Sequence, residues 1–465
     1  MNARQLEKLG VPTHALKATQ QLISKLAQAR IIDARDFKDH LKQVLKDPAA
    51  FVDHEHLGEL AQTVLKADEE STYVPREERA PVAVYGDVNL DKGSRDQIRN
   101  ASELPITSAC ALMPDAHVGY GLPIGGVMAT RNAVVPYAVG VDIACRMRLS
   151  VYDVPAEKLE SMRDNLRKVL EAETRFGIGA KFKSPQEHDV LDADWDITGV
   201  TRHNFPKARA QLGTSGSGNH FVEWGILTLD QDDLGLPAGQ YLSLLSHSGS
   251  RGTGAAVCAH YSKLAMQAHP DLPRHLKYLA WLDMDTAEGQ EYWAAMNLMG
   301  DYAAANHEVI HRNVAKAAGL TIASTVENHH NFAWLEEHDG EDVYVHRKGA
   351  TPAGEGVLGV IPGSMATPGY VVRGRGEAAS LRSASHGAGR VMSRTAAKDQ
   401  FNWKAVQPTL EQAGVEVLSA GIDEVPGVYK DINEVMAAQT ELVDIVARFN
   451  PKIVKMAPAG ERPED

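Results

Sequence analysis

The 465-residue sequence is short of cysteine, of long apolar runs and of positive charge, and each shortage closes off a class of protein. Only Cys110, Cys145 and Cys258 are present, with no CxxC pair, so neither a disulfide framework nor an all-cysteine zinc site fits. Any cysteine that matters is a mixed-ligand or reactive one. No stretch approaches the roughly 20 continuous apolar residues of a membrane span. The start, Met1 to Glu7, carries no secretory apolar region, so the expected address is cytoplasmic, without a membrane partner. Lys and Arg total 48 against 61 Asp and Glu, a formal charge of -13. That balance argues against a protein that coats DNA or anionic membrane through its overall field, and leaves room for a local basic groove. Internal repeats and low-complexity tracts are also absent.

What remains is ordinary globular composition, 43 % hydrophobic and 23 % charged, enough for a large core. From about 15 to 70, apolar residues recur at helical spacing, as in Leu22, Leu26 and Ile31 or Leu41, Val44 and Leu45, which predicts a small helical N-terminal region. The polar segment Glu69 to Arg79, with Pro75, reads as a linker. The expected division is therefore 1–75 and 76–465. Beyond residue 80, β-type runs (Pro81 to Tyr85, Met147 to Tyr152) alternate with amphipathic helices predicted over Ala156 to Ala172, Asp285 to Ala318 and Asp431 to Arg448. Gly-rich stretches separate them in place of a regular βαβ repeat. The fold class expected is α+β: one compact domain of sheets flanked by helices.

Chemistry-bearing residues fall in short strings inside apolar or Gly-rich surroundings: Met113 to His117, Val141 to Arg146, Gly218 to Glu223, Ser246 to Arg251, and Asn328 to Asn331. A single such histidine is more often a hydrogen-bonded core residue than a ligand, but several strings in one chain shift that balance. Asp142 and Cys145 are spaced so that a carboxylate and a thiolate can meet one ion from a single turn. A thiolate can bridge two ions, and with imidazoles added the set suits Mn(II), Zn(II), Co(II) or Fe(II) better than Mg(II) or Ca(II). His386 precedes Gly387, Ala388, Gly389 and Arg390, a setting for a nucleophile toward phosphorus; a loop-to-helix cap is the plainer reading. Ten glycines lie between Gly349 and Gly389, and Ile361 to Met365 reads as a second phosphate-approach loop. Residues 371–400 carry Arg373, Arg375, Arg382, Arg390, Arg394 and Lys398 against Glu377 and Asp399. The run Gly213 to Gly218 lacks the lysine of a P-loop, and the acidic run Glu336 to Asp342 reads as a solvated hairpin tip. Cys110 and Cys258 read as small buried residues, and His307 and His311, four apart, as core before metal.

In combination and order, the strings MPDAHVGYGLPIGG, VGVDIACRM, GTSGSGNHFVEW, LSHSGSRGTG, NHHNF, IPGSMATPGYVV, SASHGAGRVMSR and DEVPGVYKDINEVM resemble the RtcB-type RNA ligase family over residues 85 to 435. The resemblance implies a GTP- and manganese-dependent enzyme of tRNA splicing or RNA repair, acting on RNA ends and helped by an accessory activating protein. It implies one Mn(II) held by Asp142, Cys145 and His220 and a second by Cys145, His247 and His330. The nucleophile it implies is His386, attacking the α-phosphorus of GTP. Asn219, Glu223, Asn331, Pro362, Gly363, Ser364, Met365, Gly387, Ala388, Gly389 and Tyr429 would contact the guanylate, and Asp115 and His117 would shape the cleft. The sequence departs from the family pattern in two places. The usual terminal Lys-Gly, whose lysine reads guanine, is replaced by Ala459 to Asp465, with Lys455 or Arg462 as substitutes to test; Gly369 stands where a serine is common. The alternatives to a ligase are a metal-dependent phosphodiesterase or phosphatase of RNA ends and a non-catalytic RNA-end binding protein.

Overall fold

The structure, a computed structural model, describes residue 6 and residues 8–11, 16–28, 36–70 and 73–461. Ile31 of the N-terminal stripe, Ser71 and Thr72 of the linker, and Arg462 lie outside the described residues.

The N-terminal region forms the helices Leu16–Gln28, Phe37–Lys46 and Gly58–Glu70. Their apolar stripes close on one another in a cluster of their own, with Leu22, Leu26, Phe37, Leu41, Val44, Leu57, Leu60 and Val64 buried. Glu69 and Glu70 end the third helix, so the extended segment begins later than the polar composition suggested.

The rest is α+β and centres on an eight-stranded sheet. Its spatial order is Leu358–Ile361, Gly369–Gly374, Val443–Met456, Phe221–Leu229, Gly239–Ser248, Arg146–Pro155 and Ile322–His329, with Glu416–Ser419 parallel to Val443–Met456. The two end strands approach each other, the Val360 N–H donating to Asn328 Oδ1 at 2.8 Å, so the sheet curls almost shut. Strand alternation explains both faces. Met147, Leu149, Val151, Leu227, Leu245, Val326, Val371 and Phe449 fill the inside of the curl. Tyr152, Val222, Trp224, Leu242 and Leu244 point outward against the helices Lys158–Glu173 and Ala287–Ala318. Trp224 is fully buried there, and truncating it to alanine would cost about 3–5 kcal/mol.

A five-stranded sheet runs in the order Val82–Val84, Thr107–His117, Ile124–Thr130, Glu341–Lys348, Asn331–His338. The strand Ile322–His329 of the curled sheet passes through His330 into Asn331–His338 of this second sheet, which makes His330 the corner between them.

The helix expected from Asp431 to Arg448 is a correction. Only Ile432–Ala437 is helical, and Val443–Met456 is a strand between Phe221–Leu229 and Gly369–Gly374. The apolar positions there mimic helical spacing because a register shift opposite Val371 and Val372 lets the consecutive residues Val446 and Ala447 both enter the core. The basic excess of 371–400 is likewise reduced by distant acids: Arg373 pairs with Asp233, Arg390 and Arg394 with Glu424, and Lys398 with Asp423. The Glu336 to Asp342 run does form a hairpin, but Glu336 is spent on buried Arg347 at 2.6 Å and is not solvated.

Candidate metal centre and the histidine beside it

Antiparallel pairing decides where the chemistry gathers. Arg146 lies opposite both Ser248 and His329, and Phe221 opposite His247, so the beginnings of two strands sit beside the ends of two others. Asp142 and Cys145 immediately precede one strand, His220 precedes the second, His247 lies near the end of the third and His330 follows the fourth. One rim of the curled sheet therefore collects all of them.

Two groups of donors result, Asp142 with Cys145 and His220, and Cys145 with His247 and His330, each buried and each with ligand atoms within 4.8 Å of one another. Cys145 Sγ lies 3.4 Å from His220 Nε2 and 3.1 Å from His247 Nε2. His247 Nε2 is 3.1 Å from His330 Nε2, and Asp142 Oδ2 is 3.0 Å from His220 Nε2. The turn that aims Asp142 and Cys145 together is strained: Ala144 has φ +56°, a left-handed conformation that costs an alanine on the order of 1–2 kcal/mol. Its N–H donates to Asn331 O at 2.6 Å, and the Asn331 side chain bridges Asp142 O and the Gly349 N–H. Gly249 allows the close approach, since a Cβ there would fall 2.2 Å from Asp142 Oδ2.

The donor chemistry fits divalent ions. The Asn219 carbonyl accepts from His247 Nδ1 at 3.1 Å, which leaves the lone pair on Nε2 facing the other donors. Burial pushes the His247 imidazolium down to about 3 and that of His330 well below its usual range, so both rings are neutral and able to act as ligands. Asp142 Oδ1 accepts the Ser250 N–H, while Oδ2 is buried without a hydrogen bond. Lone pairs of sulfur, nitrogen and oxygen that converge in a buried space repel unless a cation lies between them, and a mixed S, N, O set suits the borderline transition metals.

His386 adjoins this rim. Its ring centroid is 5.0 Å from that of His330. Asp115 Oδ2, fully buried, takes the Nδ1 proton of His386 at 2.6 Å and also accepts the backbone N–H groups of His386 and Gly387 at 3.1 and 3.3 Å. Burial alone would raise the Asp115 carboxyl, but His386, Lys430 and His117 outweigh it and hold the group below its ordinary value. Lys430 Nζ donates to Pro114 O and Ala116 O on either side. With Nδ1–H committed to Asp115, the free lone pair of His386 is on Nε2. Gly389, at φ +75°, lets its loop lie against Asp115, where a Cβ would meet the Asp115 carbonyl oxygen at 2.0 Å. His117, by contrast, points its Nδ1 to Asp115 O at 3.2 Å and joins neither donor group.

A cavity opens next to the rim, lined by Asn219, Phe221, Glu223, Leu245, Pro362, Gly363, Ser364, Met365, Thr367, Gly369, Glu424, Tyr429, Val454 and Met456. Asn219, Glu223, the Pro362 to Met365 loop and Tyr429, set apart in sequence, thus share one wall. Asn331 and Gly387 to Gly389 do not line it, although a Gly387 Cβ would lie 3.4 Å from Pro362 O, so the two loops touch. Burial raises the Glu223 carboxyl well above its usual range. Glu424 was not singled out from the sequence. It bonds Arg394 and the Tyr429 hydroxyl and lies 3.5 Å from Arg390, whose guanidinium sits over the Tyr429 ring. An acidic residue in a string of acids and turn formers gives no signal of this. Arg390 is therefore committed to the cavity wall, not directed at the His386 loop. Lys455 faces away: its neighbours Val454 and Met456 line the cavity, while its ammonium bonds Leu170 O, Glu171 O and Thr174 O beyond the opposite face of the strand. His307 and His311 are core residues, bonded to Ser246, Ser150 and the Ser248 carbonyl, and Cys110 and Cys258 are buried.

Fold and site together define an α+β protein with a buried cluster of thiol, imidazole and carboxylate donors able to hold metal, flanked by an oriented histidine and a cavity. A family model described as tRNA-splicing ligase RtcB matches residues 97–456. The RNA-splicing ligase RtcB of Escherichia coli K12 is 34 % identical over 79 % of this chain and 95 % of its own. The tRNA-splicing ligase RtcB of Nanoarchaeum equitans is 34 % identical over 84 % and 98 %, and the RNA-splicing ligase RtcB of Mycobacterium tuberculosis 32 % over 76 % and 98 %. The chain belongs to the RtcB family. Among the described residues, no helix is long and apolar enough to cross a membrane.

Proposed function

We propose that this chain is an RNA ligase that joins a 3′-phosphate or 2′,3′-cyclic phosphate end to a 5′-hydroxyl end through a guanylate carried on His386. Family membership supports the ligase activity. The observation that carries the mechanism is the pair of donor groups sharing Cys145 beside a histidine whose Nδ1 is tied to a buried carboxylate.

Asp142, Cys145 and His220 would hold one Mn(II), and Cys145, His247 and His330 the other. When bound, the ions supply Lewis-acid polarisation of phosphate oxygens and offset charge that builds in transfer. The chain's own groups do the rest. Nε2 of His386 attacks the α-phosphorus of GTP; the new P–N bond forms as the P–O bond to pyrophosphate breaks. Asp115 keeps the ring in the tautomer that presents Nε2 and stabilises the positive charge it acquires. The guanylate occupies the cavity between Pro362 to Met365 and Asn219, with Glu223 and Tyr429 at its wall. Burial alone disfavours the charged form of Glu223, and the adjacent N1–H and N2–H donors of guanine, which adenine does not offer as a pair, would stabilise that form. A 2′,3′-cyclic phosphate is first opened by water, the P–O2′ bond breaking to leave a 3′-phosphate and a 2′-hydroxyl; the guanylyl group then passes to the 3′-phosphate, freeing His386, and the 5′-hydroxyl attacks that activated phosphate and expels GMP. Residues 1–75 form a separate helical region outside this chemistry, and 76–465 the catalytic domain. A cytoplasmic address and an accessory activating protein complete the reading.

The test is incubation with GTP and Mn(II), followed by intact-protein mass measurement. A guanylyl adduct that forms on the wild type and is absent from His386→Ala is expected. No adduct with any nucleoside triphosphate across Mn(II), Zn(II) and Co(II) would overturn the reading. Cyclic-phosphate opening without an adduct or joining would point to the phosphodiesterase alternative.

A further inference from the structure

Beside the metal turn the molecule carries an aromatic cluster that neither the metal centre nor the cavity uses. Tyr120 is 61 % exposed and Tyr278 is 40 % exposed, although large aromatic rings are ordinarily covered. Their ring centroids are 5.6 Å apart and nearly perpendicular, and Tyr137 meets Tyr278 edge-on at 5.0 Å. The cluster is built in. Gly121, at φ +72°, packs its backbone against Tyr278, where a Cβ would meet the carbonyl oxygen at 2.7 Å. Gln97 pins the same loop from behind through both the N–H and the carbonyl of Gly119.

Position ties the cluster to the site. Tyr137 lies on the short helix Pro136–Val139 that leads directly into Gly140, Val141 and Asp142. The Tyr120 carbonyl accepts from Lys348 Nζ at 2.5 Å, and the next residue, Gly349, lies so close to His386 that a Cβ there would be 3.1 Å from its imidazole Cε1. A chain leaving His386 on this side meets the tyrosines.

Charge points the same way. Arg274, His275 and Lys277 are exposed on the turn that ends in Tyr278. Arg274 and Lys277 have no carboxylate partner among the described residues, unlike the ion-paired arginines and lysine of 371–400. In a chain of net charge -13, unneutralised cations next to exposed tyrosines match a polymer with flat bases and a phosphate at every unit.

We infer that Tyr120 and Tyr278, with Arg274 and Lys277, form the surface that holds the single-stranded RNA leading away from the break, the rings stacking on unpaired bases and the cations meeting phosphates. This rests on the RNA-ligase reading and adds a substrate subsite to it. The mode is sequence-tolerant, because every base has a π-face, and it favours ends with unpaired nucleotides over blunt duplex ends.

The test uses full-length protein with Tyr120→Ala, Tyr278→Ala, Tyr120→Phe and the pair Arg274→Ala/Lys277→Ala. Two quantities are measured: guanylate loading of His386, which needs no RNA, and affinity for a 3′-phosphate RNA oligonucleotide with unpaired nucleotides, by fluorescence anisotropy. Each tyrosine-to-alanine change should weaken RNA binding about 5- to 150-fold, with loading unchanged and Tyr120→Phe close to wild type. The paired cation variant should flatten the dependence of log affinity on log salt by about 0.7 per charge removed. RNA affinity unchanged in the tyrosine variants overturns the inference, including the case where this face docks a protein instead. Failure of loading in the wild type would sink the ligase reading and leave the RNA measurement to decide the subsite by itself.

Discussion

The candidate metal centre and the cavity beside it share one rim of the same curled sheet, yet they differ in what completes them. The donors of the centre sit in or beside strand ends: Cys145 precedes Arg146, which is paired on both sides, and His247 is opposite Phe221. The cavity rests on strand residues too, Phe221, Glu223, Leu245, Val454 and Met456, but it is completed by loops, Pro362 to Thr367 and the stretch with Glu424 and Tyr429, joined through side chains. A centre built on strand ends tolerates little change, because moving one donor moves a strand. A wall completed by loops can lose a contact while the strands beneath it hold.

That contrast can be broken by substitution. The largest effect is expected from Cys145→Ala, which removes the donor common to both groups. Joining should fall far beyond the roughly 10–100-fold typical of a residue that only orients a ligand. Differential scanning calorimetry should show that Mn(II) at about 100 times its dissociation constant stabilises the wild type by about 2.7 kcal/mol and the variant hardly at all. Equal stabilisation of both would show that the ions bind elsewhere.

Asp115→Asn keeps the shape and removes the charge behind His386. Guanylate loading measured in single-turnover experiments should slow by about 10–100-fold while Mn(II) affinity stays as in the wild type. A loss of metal affinity instead would place Asp115 with the centre and not with the nucleophile.

On the cavity side the effects should be smaller and confined to nucleotide choice. With Glu223→Gln, the preference for GTP over ATP in adduct formation should drop by about 10-fold, the cost of one hydrogen bond to the base. The smallest change is expected from Lys455→Ala. Its ammonium satisfies carbonyls at the end of the helix Lys158–Glu173, so the variant should lose about 1 kcal/mol of stability in urea titration and keep its guanine preference. A shift in nucleotide preference would mean that Lys455 reads the base.

Much of this was legible in advance, and the reasons differ residue by residue. The α+β class followed from strands and helices whose periods were clear, as in Met147 to Tyr152 and the long helix ending at Ala318. The segment Val443–Met456 misled because its bulge lets neighbouring apolar residues both face inward, which imitates helical spacing. The donors stood out because carboxylate, thiol and imidazole in apolar strings are expensive to bury without a partner. Glu424 did not, because its importance comes from Arg390, Arg394 and Tyr429, which composition cannot bring to it. The charges of 371–400 are largely matched by distant acids, as in Arg373 with Asp233 and Arg394 with Glu424, whereas Arg274 and Lys277, unremarkable in sequence, lie beside exposed rings with no carboxylate partner among the described residues.

The sequence by itself determined the inventory: one bridging-type cysteine among acids and histidines, a histidine before a glycine loop, and a surface too acidic for nonspecific binding of nucleic acid. Those are properties of residue type and local spacing, which survive without a fold. Tertiary structure alone decided the partnerships: which lone pairs converge, that Asp115 orients His386, that Lys455 turns away from the cavity and which cations meet acids. Hydrogen bonds and ion pairs reach only a few ångströms, so they are decided by which strands pair and how the sheet curls, and residues hundreds of positions apart become neighbours only then.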